Sequence, residues 1–301
     1  MATRAIPYVL LASAFVLLWN SGFIGAEYGL PYAGALTLLF WRYLALTLLM
    51  LAWVIARSEP LLPDRGEAFH ATWTGILAHA VWLGCALGAI EADVPAGIVA
   101  LVVALQPLLT GALSGAITGE GTSPLQWVGL SAGFCGVAVA VIARMQGDHG
   151  APLWAYVLPF GSVVAITIAS LSQRLRAHSG RSLPMGTLLL YQSAGSAVAL
   201  LLPALLLEGL RTQWTLPFIA ALGWVTVLVS LGAYALMWVL LARVDATRVA
   251  SLVYFGPPVT MLMAWLAFGD AVLLTDWIAL AITAVGVVLV QRAPAPRAQP
   301  G

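Results

Sequence analysis

Charge is what this sequence has least of. Of its 301 residues only 8% are Asp, Glu, Lys or Arg, against 61% hydrophobic, and the mean hydropathy is +0.97. A soluble domain needs about a quarter of its residues charged to cover its surface, so a water-exposed globular protein is excluded and an integral membrane protein implied. Lysine is missing altogether: all thirteen basic residues are Arg, and with twelve acidic residues the net charge is +1. No basic stripe exists to hold a phosphate backbone, which sets aside a nucleic-acid partner. Cysteine occurs twice, as Cys85 and Cys135, both inside apolar segments where a thiol behaves as a small hydrophobe, so disulfides have no part in the reading. HExxH, paired CxxC and P-loop motifs are absent, and His70, His149 and His178 read as loop residues. Metal and ATP chemistry therefore lack support, and no cofactor is expected.

Long apolar runs are what the chain does have. Runs of about 20 apolar residues, broken by charge, Pro and Gly, give ten expected membrane-spanning helices. They cover residues 6–26, 33–56, 69–90, 95–118, 124–144, 152–173, 185–207, 215–242, 247–268 and 273–291. The first run follows Arg4 and contains Ala12, Ser13 and Ala14, which suggests a signal peptide, but its length suits a span better. Boundary residues agree: Ser123, Pro124 and Gln126 form a capping-box start, Asp93 and Pro95 open span 4, and Asp245 precedes span 9. The Pro-rich tail after Arg292 is expected to be disordered. With the amino terminus inside, ten of the thirteen Arg fall in cytoplasmic segments and only Arg144 and Arg211 in outer loops. Arg42 is within span 2. This positive-inside bias puts both termini in the cytoplasm.

Two stretches echo each other. "LQPLLTGALSGAITGE" starts at Leu105 and "FGPPVTMLMAWLAFGD" at Phe255, 150 residues on. At the same offset Thr37, Leu38 and Leu39 match Thr187, Leu188 and Leu189, Pro107 matches Pro257, Trp127 matches Trp277, and Gly136 matches Gly286. A five-span unit has duplicated, and because five is odd the second copy is inverted, giving repeats at 1–148 and 149–292 and a tail at 293–301. Secondary transporters of this kind bind substrate near the midplane between the repeats. Pro107 cannot donate to the Val103 carbonyl, nor Pro257 to that of Val253. Pro107, Gly256 and Pro257 are therefore candidate hinges lining a cavity; the alternative is a kink that only shapes packing.

On these residues the chain resembles the drug/metabolite transporter superfamily, specifically its ten-helix EamA-type members. The likeness rests on "LLWNSGFIGAEYGL" followed by "FWR", on "ALQPLLTGALSGAITGE", and on "FGPPVTMLMAWLAFGD". Within that group it looks most like the YddG-type aromatic amino-acid exporters. The resemblance implies an all-α fold in which spans 1 to 4 and 6 to 9 surround a central cavity while spans 5 and 10 lie at the periphery. Gln192 departs from the symmetry, standing where the first repeat has Arg42.

Ionisable residues at membrane depth default to function. His79 lies mid-span with Trp82 three residues on, offering a polar contact and an aromatic wall; the alternative is a hydrogen bond to a neighbouring helix. Arg42 matches a substrate carboxylate bidentately, or else ties span 2 to its neighbours. Trp19 and Asn20 in span 1, and Tyr234 and Trp238 in span 8 with Ser230 a turn earlier, are candidates for the cavity wall, as against plain packing. Ser251, Tyr254, Tyr191 and Gln192 follow on the same logic. Trp73, Trp127, Trp154, Trp214 and Trp277 read as interfacial anchors. The small-residue spacings, including Gly129 and Gly133, suit packing within one monomer. The string "GLSAG" matches a nucleophile elbow, yet sits mid-helix where that motif has no chemistry.

The expectation is an inner-membrane transporter exporting aromatic or hydrophobic amino acids and similar neutral metabolites as a monomer, with a small-molecule substrate and the lipid bilayer as its partners. Every acidic residue falls near a helix end or in a loop, so a proton-coupled exporter of cationic drugs, the alternative within the superfamily, lacks its buried carboxylate and uniport is simpler. Were coupling present, Glu27 and Glu91 are where it would reside. A membrane-embedded enzyme is disfavoured because His79 alone titrates within the spans, and a signalling protein because no loop holds a soluble domain.

Overall fold

The computed structural model describes residues 8–106, 108–110, 113, 123–145, 150–178, 183–241, 252, 256–269 and 271–292. They form the helices α1 (Tyr8–Gly29), α2 (Ala35–Ala56), α3 (Arg65–Glu91), α4 (Ala96–Val103), α5 (Pro124–Met145), α6 (Leu158–His178, entered by a 3₁₀ turn at Leu153–Val157) and α7 (Met185–Glu208). After them come α8 (Leu216–Gly223 continuing through Trp224–Ala233 to Tyr234–Leu241), α9 (Gly256–Phe268) and α10 (Leu274–Arg292). Six of them, α1, α2, α3, α6, α7 and α8, are long and apolar enough to cross a membrane by length and composition; α4, α5, α9 and α10 contribute shorter apolar stretches.

Several boundaries differ from expectation. Asp64 caps α3 by accepting the Gly66 amide at 2.9 Å, and with Glu67 in the first turn the helix starts before its apolar core. His70 is therefore helical, with Nε2 3.2 Å from the Ser172 carbonyl, and His178 is helical in α6; His149 lies outside the described residues. Asp93 does not cap α4: it adopts φ 65° in the turn leaving α3, and the N-cap is Pro95. Pro257 is helical in α9, and the residues directly before Gly256 lie outside the described ones. Pro107 lies outside the described residues, as do Ser251 and Tyr254. One turn before Pro107, however, α4 stops at Val103, and Leu105 N–H tightens onto the Val102 carbonyl at 2.9 Å before helix resumes at Gln106.

α2 and α7 lie antiparallel, each capping the other. Glu208, ending α7, accepts the amides of Leu36 (2.9 Å) and Thr37 (2.7 Å), and Glu91, ending α3, accepts that of Ala35 (3.1 Å). At the far end Glu59, just past α2, accepts the Thr187 amide at 2.9 Å. Orphan amides and the positive end of a helix dipole both favour a carboxylate there. These acidic residues lie at helix ends because they are needed there. Glu208→Ala is expected to cost about 2 kcal/mol, the range for hydrogen bonds to a charged group, and Glu208→Gln less; thermal unfolding of the purified protein in detergent measures both.

The remaining helices pair as α1 with α8, α3 with α6, α4 with α9 and α5 with α10. Glycines permit the last crossing: a Cβ on Gly136 would meet Thr283 and the Ala279 carbonyl, and one on Gly286 would meet the backbone of Gly129 and Gly133. The interior is apolar, with Leu38, Leu39, Tyr43, Leu87 and Leu101 among its fully buried side chains. Trp73, Trp127, Trp154, Trp214 and Trp277 all face outward.

Candidate functional site

Two of the long helices are distorted at corresponding places. α3 turns π-helical over Ile76–Val81 and α8 over Trp224–Ala233, each directly after a glycine, Gly75 and Gly223. Adding 150 to the first range lands inside the second. A π turn widens a helix and re-aims its side chains, and such insertions concentrate at functional sites. Here they carry His79 on α3 and Ser230 on α8, both buried.

Each distorted stretch is tied to a helix of the other half. Arg42 on α2 donates through Nε (3.2 Å) and Nη2 (2.9 Å) to Ser230 Oγ, and that hydroxyl donates to the Val225 carbonyl five residues back. Gln192 on α7, the residue 150 after Arg42, has Oε1 3.4 Å from His79 Nε2. The two ties occupy equivalent positions in the halves, one built from a guanidinium and a hydroxyl, the other from an amide and an imidazole. The Tyr43 ring packs against the His79 ring at 5.2 Å, with the Arg42 guanidinium 5.5 Å from its centre. Among the described residues the hydrogen-bond partner of Arg42 is a hydroxyl and not a carboxylate.

Arg42, Tyr43, His79 and Ser230 line a central chamber of about 40 Å³, walled by α1, α2, α3 and α8 with Leu189 of α7. A second chamber of about 300 Å³ adjoins it nearer the ends where α1 and α3 begin, bounded also by α4, α6 and α9. Trp19, Phe23, Trp82 and Tyr234 border both. Trp19 bridges Phe15 and Tyr234 at ring distances of 5.7 and 5.4 Å, so the partition is continuous on the α1–α8 side.

The sequence profile of the EamA-like transporter family matches this chain twice, over residues 6–142 and 153–292. The chain belongs to the EamA-like transporter family. It is 27% identical over 281 residues to the uncharacterized inner membrane transporter YedA of Escherichia coli strain K12, covering 92% of this chain and 88% of the relative, and the YedA proteins of strains O6:H1 and O157:H7 give the same figures. A crystal structure with 19% sequence identity superposes with a TM-score of 0.63 over 95% of this chain and 99% of the other, a likeness of fold.

In this EamA-like transporter the residues singled out from sequence do not form one cluster. His79, Trp82, Trp19, Tyr234 and Arg42 meet around the central chamber. Asn20 faces the second chamber instead, with Nδ2 donating to the Val16 carbonyl (2.7 Å) and Oδ1 accepting from Thr260 (3.2 Å). Gly256 also borders that chamber, and a Cβ there would press on Asn20. Tyr191 is not a wall residue: its hydroxyl donates to the Leu61 carbonyl at the bundle end, 3.0 Å away. The side chains of Trp238 and Pro257 lie outside the described residues. Sequence reading missed Phe23 and Tyr43, which look like ordinary core, and the second chamber's Gln106, Ser170 and Gln173. One signal was available for these: Ser170 stands 150 after Asn20, and Gln106 stands 150 before Gly256.

Proposed function

We propose that this transporter exports neutral amphipathic metabolites, aromatic and hydrophobic amino acids foremost, by alternating access and as a uniporter, in the manner of the YddG-type exporters. One observation carries the reading. The central chamber sets one guanidinium and one imidazole in an aromatic wall, and no carboxylate is among its described lining residues. A pocket of that composition suits a molecule with a carboxylate and an apolar body, whereas exchange of protons for a cation calls for a buried acid.

In this reading ten spans form two inverted repeats, 1–148 and 149–292, with both termini cytoplasmic in the inner membrane and the monomer as working unit. Its supports are the antiparallel α2–α7 pair with Thr37 and Thr187 at opposite ends, the twofold pattern of helix pairings, the profile matched twice, and YedA's name as an inner membrane transporter. His79, Trp82, Trp19, Tyr234 and Arg42 contact substrate, with Trp238, Asn20, Ser251 and Tyr254 contributing as the cavity changes shape. Movement centres on the break before Pro107 and on Gly256 and Pro257 of α9.

The test is counterflow in proteoliposomes with aromatic, aliphatic and charged amino acids and a cationic dye. Aromatic amino acids are expected to exchange and the dye not to, and exchange of the dye alone would sink the reading. Pro107→Ala is expected to slow counterflow while leaving equilibrium binding of the same substrate unchanged, which radioligand binding beside the flux assay checks.

A further inference from the structure

The central chamber holds about 40 Å³ of free space, roughly one or two waters' worth, and its Arg42, Ser230 and His79 are engaged through the Arg42–Ser230 and His79–Gln192 ties. In this conformation it does not admit an amino acid. The second chamber, at about 300 Å³, reaches the size at which small-molecule sites begin. Its described lining carries no charged residue. What it offers are the aromatic faces of Trp19, Trp82 and Tyr234 on one side and a polar group on the other, where Gln106 Nε2 donates to Ser170 Oγ at 3.2 Å and Gln173 is exposed nearby. Trp82, which lines both chambers, has its indole Nε1–H buried with no hydrogen-bond partner among the described residues. A buried donor left without an acceptor costs about 1–3 kcal/mol, so a ligand oxygen arriving there is favoured.

We propose that the second chamber is a distinct, uncharged binding site, which holds an aromatic molecule with a neutral hydrogen-bonding group. The ring stacks on the aromatic partition, and the polar group meets Trp82, Gln106 and Ser170. On the orientation proposed above this chamber lies toward the cytoplasm. A free carboxylate is disfavoured here because no cation offsets its desolvation; it is recognised only beyond the partition. The inference rests on the transport reading solely for that orientation.

The experiment uses the full chain with Cys85 and Cys135 replaced by Ala, Ser170→Cys as reporter, a maleimide as label, and phenylacetamide as the neutral probe with phenylacetate as its charged counterpart. Occupancy slows labelling by one plus the ratio of ligand to Kd, about tenfold at a roughly ninefold excess. Phenylacetamide is expected to give that protection, phenylacetate none, and adding His79→Ala to leave the protection intact. Labelling unchanged by phenylacetamide overturns the proposal, as does protection that vanishes with His79→Ala, since a single central site would then govern access. Gln173→Cys, at the exposed rim, repeats the measurement if the Ser170 variant does not fold. Protection without amino-acid counterflow leaves this site standing and removes the substrate reading; counterflow without protection does the reverse.

Discussion

Gly75→Leu is expected to give no folded, monodisperse protein, and Gly75→Ala to lose about 3 kcal/mol or more of stability. α3 and α7 touch backbone to backbone at this point. A Cβ on Gly75 would overlap the Gln192 main chain, and Ser196 Oγ donates to the Gly75 carbonyl at 3.0 Å. One turn further along α7, a Cβ on Gly195 would press on Thr72. Overpacking a tight core costs about 1–3 kcal/mol when side chains can yield, and main chain yields less. Forcing the helices apart also breaks the Ser196 bond, at about 1 kcal/mol, and withdraws Gln192 from His79. Gly84→Ala on the same helix is the control, because its added Cβ meets only Leu36 at an ordinary 3.6 Å. There the gain in helix propensity, up to about 1 kcal/mol, leaves stability unchanged or raised. Thermal midpoints in detergent decide the matter; equal losses at the two positions would remove the α3–α7 contact from the account.

The second large effect is expected at Arg42. Arg42→Ala should lower counterflow of an aromatic amino acid by about two orders of magnitude, corresponding to the roughly 3 kcal/mol seen when one partner of a buried charged contact is truncated. Ser230→Ala leaves the guanidinium in the chamber and removes one acceptor, so about a tenfold fall or less is expected. The pair separates the two roles that a buried Arg can fill. If Arg42 serves only to hold α2 against α8, removing either end of the bond gives the same loss. A difference of tenfold or more assigns the guanidinium to the substrate. Arg42→Lys should not restore transport, since an ammonium cannot present Nε and Nη2 donors together.

Much of the framework was legible without coordinates because it depends on what water and lipid exclude. Runs near 20 apolar residues had to become helices, and both ends fell within a few residues of those observed for α2 and α7. Errors came where a local cap outweighed hydropathy, as when Asp64 started α3 early and made His70 helical. The offset of 150 picked out Gly136 and Gly286, and both lie where α5 and α10 touch. Gly129 and Gly133 were read as packing within one chain, and they face Gly286 on α10.

The site was only half legible. Depth marked His79 and Arg42, since ionisable groups are rare inside a bilayer and so stand out in a sequence. Their partners could not be read, because a hydrogen bond between residues 113 or 188 positions apart depends on which helices lie side by side. The π turns are invisible to periodicity: one extra residue per turn leaves a run of apolar letters looking unchanged while rotating the side chains of every later turn. The division into a charged and an uncharged chamber also escaped, for it arises where Trp19, Phe23, Trp82 and Tyr234 converge from three helices. Sequence alone thus determined that this protein is a membrane-embedded helical bundle with a doubled plan, because solvation acts on each segment separately. Which polar groups meet, and where the space between the halves opens, was decided by tertiary packing alone, because those depend on the relative placement of segments that solvation does not specify.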